Sequence, residues 1–396
     1  MHIALTPEQE RLRRETHAYF EALMTPERRA ALTFVDGQFR DGDVYLETIR
    51  QLGEDGWLGL GWPPEFGGQG RSMVDQLIFN DAAAVAGVAI PYLTINTIGP
   101  TLMRYGTPAQ KEYFLPRILR GELHFAVGYS EPDAGTDLAA LRTTARLDGT
   151  LEDGSFVVSG QKMWTSQIKY ADWVWLAVRT DAELPRHKGL SIMMVPTDAD
   201  GFSTSPVDTV AGLRTSATYF DQVRVPAANL VGELNGGWPL ITNQLNHERV
   251  ALFSAAGLQQ HIHEVTRWAR ETRRPDGRRV ADDEWVRNLL GVAHARTEML
   301  SLMNWKLATT IDTLGPAEAS ATKIFGSENA LEVYRMLMEI VGPDAGLTPD
   351  SAGAVLAGRL ERYHRSHLVL TFGGGTNEIQ RDMIGYQALG LPAARR

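Results

Sequence analysis

The chain has 396 residues, too many for one small core and suited to about two or three packed domains. Apolar residues make up 43% and charged residues 22%, the profile of a folded chain, and the net charge of −9 disfavours binding to a nucleic-acid backbone. With no cysteine, there is no disulfide framework, thiolate metal site or thiol nucleophile.

The N-terminal stretch MHIALTPEQERLRRETHAYF is charged and helical in pattern, without the apolar region of a signal peptide. Thr6 and Pro7 read as a helix cap and first helical position. Trp62 to Gly68 is a turn-rich break, Asp75 to Val88 has helical spacing again, and Thr107 caps a helix carrying Phe114 and Ile118. The apolar run Ala82 to Leu93 is short, contains glycine and is broken by Pro91, so no membrane span is expected and the cytoplasm is the expected compartment.

From about Leu123 to Val231 the character changes to short runs rich in Val, Ile, Thr, Trp and Tyr. Ser155–Ser159, Trp173–Arg179, Leu190–Val195 and Tyr219–Val225 read as strands, with Trp173–Val178 apolar enough to be covered on both faces. Beyond Trp238 the pattern is helical: one helix is expected over Gln244 to Arg270, another over Asp282 to Thr310, a third over Pro316 to Val341, and Arg359 to Phe372 leads into a glycine-rich turn. The predicted fold class is α+β: an N-terminal α-helical domain (1–122), a middle β domain (123–232) and a C-terminal helical domain (233–396) resembling a four-helix bundle.

Several motifs stand in order along this frame. They are Leu58–Pro63 with Glu65–Gly68; Tyr129-Ser130-Glu131-Pro132-Asp133-Ala134-Gly135-Thr136-Asp137; Gly160-Gln161-Lys162-Met163-Trp164-Thr165-Ser166; Gly212–Ser216 with Phe220 and Val225-Pro226; and TFGGGTNEIQRDMIG from Thr371 to Gly385. Taken alone, any one of these is an ordinary turn or buried aromatic. Together they resemble the acyl-CoA dehydrogenase family end to end. The resemblance implies that family's fold, FAD as cofactor, and an acyl-CoA as substrate. It places Tyr129, Ser130, Glu131, Thr136, Trp164, Thr165, Ser166, Thr376 and Glu378 at the cofactor. Backbone groups of Tyr129 and Ser130 would face the flavin edge, Trp164 would supply a flat surface beside the ring, and Ser166 a hydroxyl at the hydride-accepting nitrogen.

The family's C-terminal signature carries a Glu before Gly-Thr that is often the base removing the substrate α-proton. Here that position is Gly374, preceded by Gly373. In some branches the base instead sits on a helix immediately before an Arg, and Glu248-Arg249 occupies that place. The resemblance therefore implies Glu248 as base, its pKa raised by an apolar pocket, with Thr136, Arg249, Gly374 and Gly375 at the substrate. Gly374 keeps the backbone N–H that the family aims at the thioester carbonyl, while the glycines free space for a branched α-carbon.

Two segments depart from the pattern. Arg273–Gly277 stands where the family has R-x-x-F-G, and Glu339–Gly346 where it has Q-x-x-G-G-x-G; both normally reach a neighbouring subunit's FAD. Elements holding the chain's own flavin are kept while those lent to a neighbour are eroded, which implies a different, homologous partner subunit. QLNHERVAL and TFGGGTNEIQRD resemble the α subunits of actinobacterial steroid side-chain dehydrogenases acting on 3-oxocholest-4-en-26-oyl-CoA. That resemblance implies that the partner is a β subunit in a heterotetramer. The expected product is the trans-2-enoyl-CoA, with an electron-transfer flavoprotein or similar acceptor downstream. A flavin monooxygenase or oxidase on the same fold, or a non-catalytic partner subunit, are the alternative readings.

Overall fold

Side-chain caps set most helix starts in the first third of the chain. In the computed structural model, which describes residues 4–35, 37–250, 254–310, 315–348 and 351–392, helix α1 spans Pro7–Leu23. The Thr6 hydroxyl accepts from the Gln9 N–H at 3.2 Å and the Gln9 amide oxygen accepts from the Thr6 N–H at 3.0 Å. There follow α2 (Pro26–Ala31), a hairpin of β1 (Phe34–Val35) and β2 (Gln38–Phe39), and α3 (Gly42–Glu54). Next come α4 (Met73–Ala86), a π-helical turn (Leu93–Ile98), α5 (Gly99–Tyr105) and α6 (Pro108–Leu119), the last capped by Thr107. In α3 the buried residues Tyr45, Thr48, Ile49 and Leu52 recur at helical spacing and face Phe20, Phe39 and Phe114 in one core. The break at Trp62 is fastened by its indole N–H, which donates to the Ile95 carbonyl at 2.9 Å.

The middle of the chain folds into a sheet. Its strands are β3 (Phe125–Gly128), β4 (Thr144–Asp148), β5 (Ser155–Lys162), β6 (Trp173–Arg179), β7 (Leu190–Pro196), β8 (Phe202–Asp208), β9 (Arg214–Pro226) and β10 (Leu230–Val231). Their spatial order is β10-β7-β6-β4-β5-β9-β8, with β3 also pairing with β6, in parallel. The interior of β6 is buried throughout, as its unbroken apolar run predicts, because Trp175 and Ala177 face the core shared with the N-terminal helices while Val174, Leu176 and Val178 face a second core within the sheet domain. Each buried Val or Leu side chain here contributes roughly 1.5–3 kcal/mol of transfer free energy.

The last third is helical: α7 (Gly237–Val250), α8 (Ala255–Glu271), α9 (Glu284–Thr310), α10 (Pro316–Val341), α11 (Arg359–His367) and α12 (Asn377–Ala388). The single helix expected over Gln244 to Arg270 is thus two. Ser254 starts the second afresh: its backbone is extended, and its hydroxyl accepts from the Ala256 N–H at 3.1 Å while donating to Asp81 of α4. Helix α7 packs against the π-helical turn and α5, against β7 of the sheet, and against α10. It thereby joins the N-terminal helices, the sheet and the C-terminal helices. Among the described residues, no helix is long and apolar enough to cross a membrane.

Candidate active site

Strand β3 ends at Gly128 and delivers Tyr129, Ser130 and Glu131 into a tight turn, in which the Glu131 N–H donates to the Ala134 carbonyl at 2.7 Å. The Glu131 carboxylate is turned inward. It accepts from Lys162 Nζ at 2.8 Å, from the Thr143 N–H at 2.8 Å and hydroxyl at 2.6 Å, and from the Arg142 N–H at 2.6 Å. Burial works to raise its pKa, but the Lys162 ammonium and the Thr143 donors together hold it below the ordinary carboxylate value. Lys162, fully buried at the end of β5, also donates to the Tyr129 carbonyl at 3.1 Å.

Lys162 leads directly into the Trp164 turn. Trp164 has φ of +63°, an uncommon and strained conformation for an aromatic residue. It is clamped from both sides: the Met163 N–H donates to the Ser130 carbonyl at 2.8 Å, and the Thr165 N–H to the Ser216 carbonyl at 3.0 Å. Thr165 is buried with its hydroxyl 3.3 Å from that of Thr218. Trp164 itself is 56% exposed and Ser166 is exposed beside it. The structure therefore joins Tyr129–Glu131 and Trp164–Ser166 into one unit. Thr136 lies exposed further along the first turn, next to Asp137, which pairs with Arg186 at 2.7 Å.

Tyr129 is the link to the helices. Its buried hydroxyl donates to the Gln244 amide oxygen on α7 and accepts from the Trp175 indole N–H at 3.2 Å. Gln244 is 1% exposed. Glu248 and Arg249 fall on the final turn of the same helix, and their side chains lie outside the described residues. On the far side of α7, α10 carries Lys323, whose ammonium donates to the Gly375 carbonyl at 2.8 Å. Gly374 and Gly375 have φ of +65° and +91°, which favour glycine. Thr376 caps α12, its hydroxyl accepting from the Ile379 N–H at 3.2 Å, and Glu378 is exposed in the first turn of that helix. Gln244, Trp175, Lys162 and Lys323 were not among the expected site residues. Lys323 shares its helix face with Ser320 and Ser327 and stood out by no local signal; the partners of Gln244 and Trp175 lie 115 and 46 positions away and carry no local signature.

Family models for the N-terminal, middle and C-terminal domains of acyl-CoA dehydrogenases match residues 6–122, 126–223 and 235–389. The chain belongs to the acyl-CoA dehydrogenase family. Acyl-CoA dehydrogenase FadE26 of Mycobacterium tuberculosis is 58% identical to it over the full length of both chains. A solved chain of the ChsE4-ChsE5 complex from Mycobacterium tuberculosis is 59% identical with a TM-score of 0.93, again covering 100% of each. A chain of the Tcur3481-Tcur3483 steroid ACAD is 46% identical with a TM-score of 0.91 over 100% of both.

Acyl-CoA dehydrogenases in general depend on FAD, and the residues here fit that group. The strained, clamped Trp164 leaves a broad ring face open beside the Ser166 hydroxyl. In β9, next to the Ser216 that holds Thr165, the buried Thr215 hydroxyl has no hydrogen-bond partner among the described residues. A side chain at Gly135 would meet nothing within 4 Å, so the turn is open to a ligand.

Proposed function

We propose that this enzyme dehydrogenates a bulky, α-methyl-branched steroid side-chain acyl-CoA between its α and β carbons, giving the trans-2-enoyl-CoA, as one subunit of a hetero-oligomer. The observation that carries the reading is the seating of α7. Gln244 binds Tyr129 of the cofactor-facing turn, and Glu248 follows it by one helical turn. Positions four apart share a helix face, which supports Glu248 as the base.

FAD would be held by Tyr129, Ser130, Glu131, Thr136, Trp164, Thr165, Ser166, Thr376 and Glu378, and when bound supplies the acceptor for the β-hydrogen as hydride. Glu131 acts there through the backbone it anchors, since its carboxylate is occupied internally. Glu248 takes the α-proton. Arg249, Thr136, Gly374 and Gly375 border the acyl-CoA, and the Gly374 N–H stabilises the charge that develops on the thioester oxygen. Gly373–Gly375 leave room for the branch. An electron-transfer flavoprotein or similar acceptor removes the electrons. The division into domains at 1–122, 123–232 and 233–396 belongs to the same reading.

Two observations support a heteromer. The related solved chains come from complexes with two differently named components. The Arg273–Arg279 segment also closes on itself: Arg273 donates to the Gly277 carbonyl at 2.7 Å, Arg274 pairs with Asp283 at 2.8 Å, and Arg278 pairs with Asp276 at 2.9 Å. Guanidinium groups so occupied are poor candidates for a neighbour's pyrophosphate, so the partner supplies that contact.

Glu248→Gln in the assembled enzyme is expected to slow flavin reduction by a steroid acyl-CoA by about 10²–10⁴-fold with FAD still bound, measured by anaerobic stopped flow. Retained turnover would move the base elsewhere. Expressed alone, the chain should hold little FAD, and a yellow, active homotetramer would overturn the division of labour.

A further inference from the structure

Three consecutive glycines form a segment that loses much conformational entropy when it is fixed, so Gly373–Gly375 needs an external tether to present an N–H in one direction. The tether is α10. Ser320, Lys323 and Ser327 lie along one face of it; Lys323 reaches this loop, and the two serines reach the start of α12 that follows it. Lys323 is fully buried and donates to the Thr371 carbonyl at 3.4 Å, the Gly375 carbonyl at 2.8 Å and the Asn377 side-chain oxygen at 2.7 Å, so its contacts bracket the glycines on both sides. Asn377 donates in turn to the Ser327 hydroxyl at 3.0 Å. Ser320 donates to the Gln380 amide oxygen at 2.7 Å, and the Gln380 amide nitrogen sits so close that a Cβ on Gly375 would lie 2.6 Å from it. Burying an ammonium costs several kcal/mol, a cost that a purely packing position would avoid with Leu or Met.

We propose that Lys323 is a positioning residue for the acyl-CoA thioester, stapling the glycine loop from behind so that the Gly374 N–H points at the carbonyl oxygen where charge develops. This rests on the assignment of Gly374 to that oxygen under the proposed function. A misdirected donor weakens enolate stabilisation without touching the cofactor or the rest of the CoA.

The test uses the FAD-loaded, partner-assembled enzyme and an acyl-CoA analogue with an acidified α-carbon, whose bound enolate gives a long-wavelength charge-transfer band with oxidised flavin. Lys323→Met is expected to keep FAD and the folded state while raising the pH midpoint of that band by about one unit and lowering kcat at least ~10-fold, the scale expected for a mispositioned oxyanion donor. KM should change less than kcat, and Lys323→Arg should restore part of both readouts. If Lys323→Met does not fold, Asn377→Ala decides, since it removes the side-chain oxygen that holds Lys323 at 2.7 Å: a loss in the same two readouts supports the staple, and an unchanged band and kcat overturn it. A full band with kcat within about twofold in folded Lys323→Met overturns this inference alone. No band in the wild-type enzyme overturns it together with the Gly374 assignment.

Discussion

Lys162→Met is the sharpest perturbation of the unit formed by the Tyr129–Glu131 and Trp164–Ser166 turns. The substitution keeps the aliphatic volume and removes the ammonium, which lies 2.8 Å from Glu131 with side-chain exposures of 0% and 7% for the two partners. Breaking a buried pair by deleting one partner costs about 3–5 kcal/mol, because a charge is left uncompensated. Glu131 keeps the Arg142 and Thr143 N–H groups and the Thr143 hydroxyl, so the lower end, about 3 kcal/mol, is expected. The pH dependence changes sign. In the wild type the lowered Glu131 pKa means its stabilisation is present above the ordinary carboxylate value and is lost as pH falls through the lowered one. Without Lys162, burial lifts the carboxyl above its ordinary value, so the variant is most stable at low pH and loses stability as pH rises. Thermal unfolding from about pH 3 to pH 7, with FAD content measured in parallel, reads both effects; the double variant Lys162→Met/Glu131→Gln should lose less than the sum of the single variants. A cost under about 1 kcal/mol, with the wild-type pH slope and full FAD retention, would refute the idea that this pair carries the two turns.

Tyr129→Phe strips the hydroxyl shared by Gln244 and Trp175, leaving two buried polar groups unpaired, at about 1–3 kcal/mol each. Lowered stability with an even larger fall in turnover is expected in unfolding and steady-state assays, and unchanged kinetics would dissociate the junction from α7 placement. Asp81 is buried at the α4–α8 contact, and burial, opposed by the Ser254 hydrogen bond, pushes its pKa up to about 6. A pKa raised above the unfolded value contributes stability that is present at low pH and lost as pH rises through about 6. Asp81→Asn should therefore flatten the stability profile between about pH 4 and pH 6 and stabilise the protein by up to about 3 kcal/mol above that window, measured by denaturant titration. An unchanged slope would place the titration elsewhere.

The order of helices, sheet and helices was legible because the hydrophobic period changes from helical to strand-like and back, and because Thr6, Thr107 and Pro316 mark helix starts locally. Helix α10 and strand β6 begin and end where their patterns do. The break between α7 and α8 was not legible, since residues on both sides keep helical spacing; a hydroxyl cap and its bond to Asp81, distant in sequence, determine the restart at Ser254.

The same boundary runs through the site. Sequence alone determined the local shape of the turns that carry the family motifs, because Gly, Pro and Thr at fixed offsets impose backbone shapes that neighbouring residues specify, and the resemblance assigned cofactor and substrate to those turns. It also identified the loss of the acid at Gly374 and the candidate replacement at Glu248. Only the tertiary structure decided how those turns are held. Lys162 to Glu131, Tyr129 to Gln244 and Lys323 to Gly375 join residues 31, 115 and 52 positions apart. Such bonds depend on burial, where an unpaired polar group is costly, and burial is a property of the packed chain rather than of any segment of it.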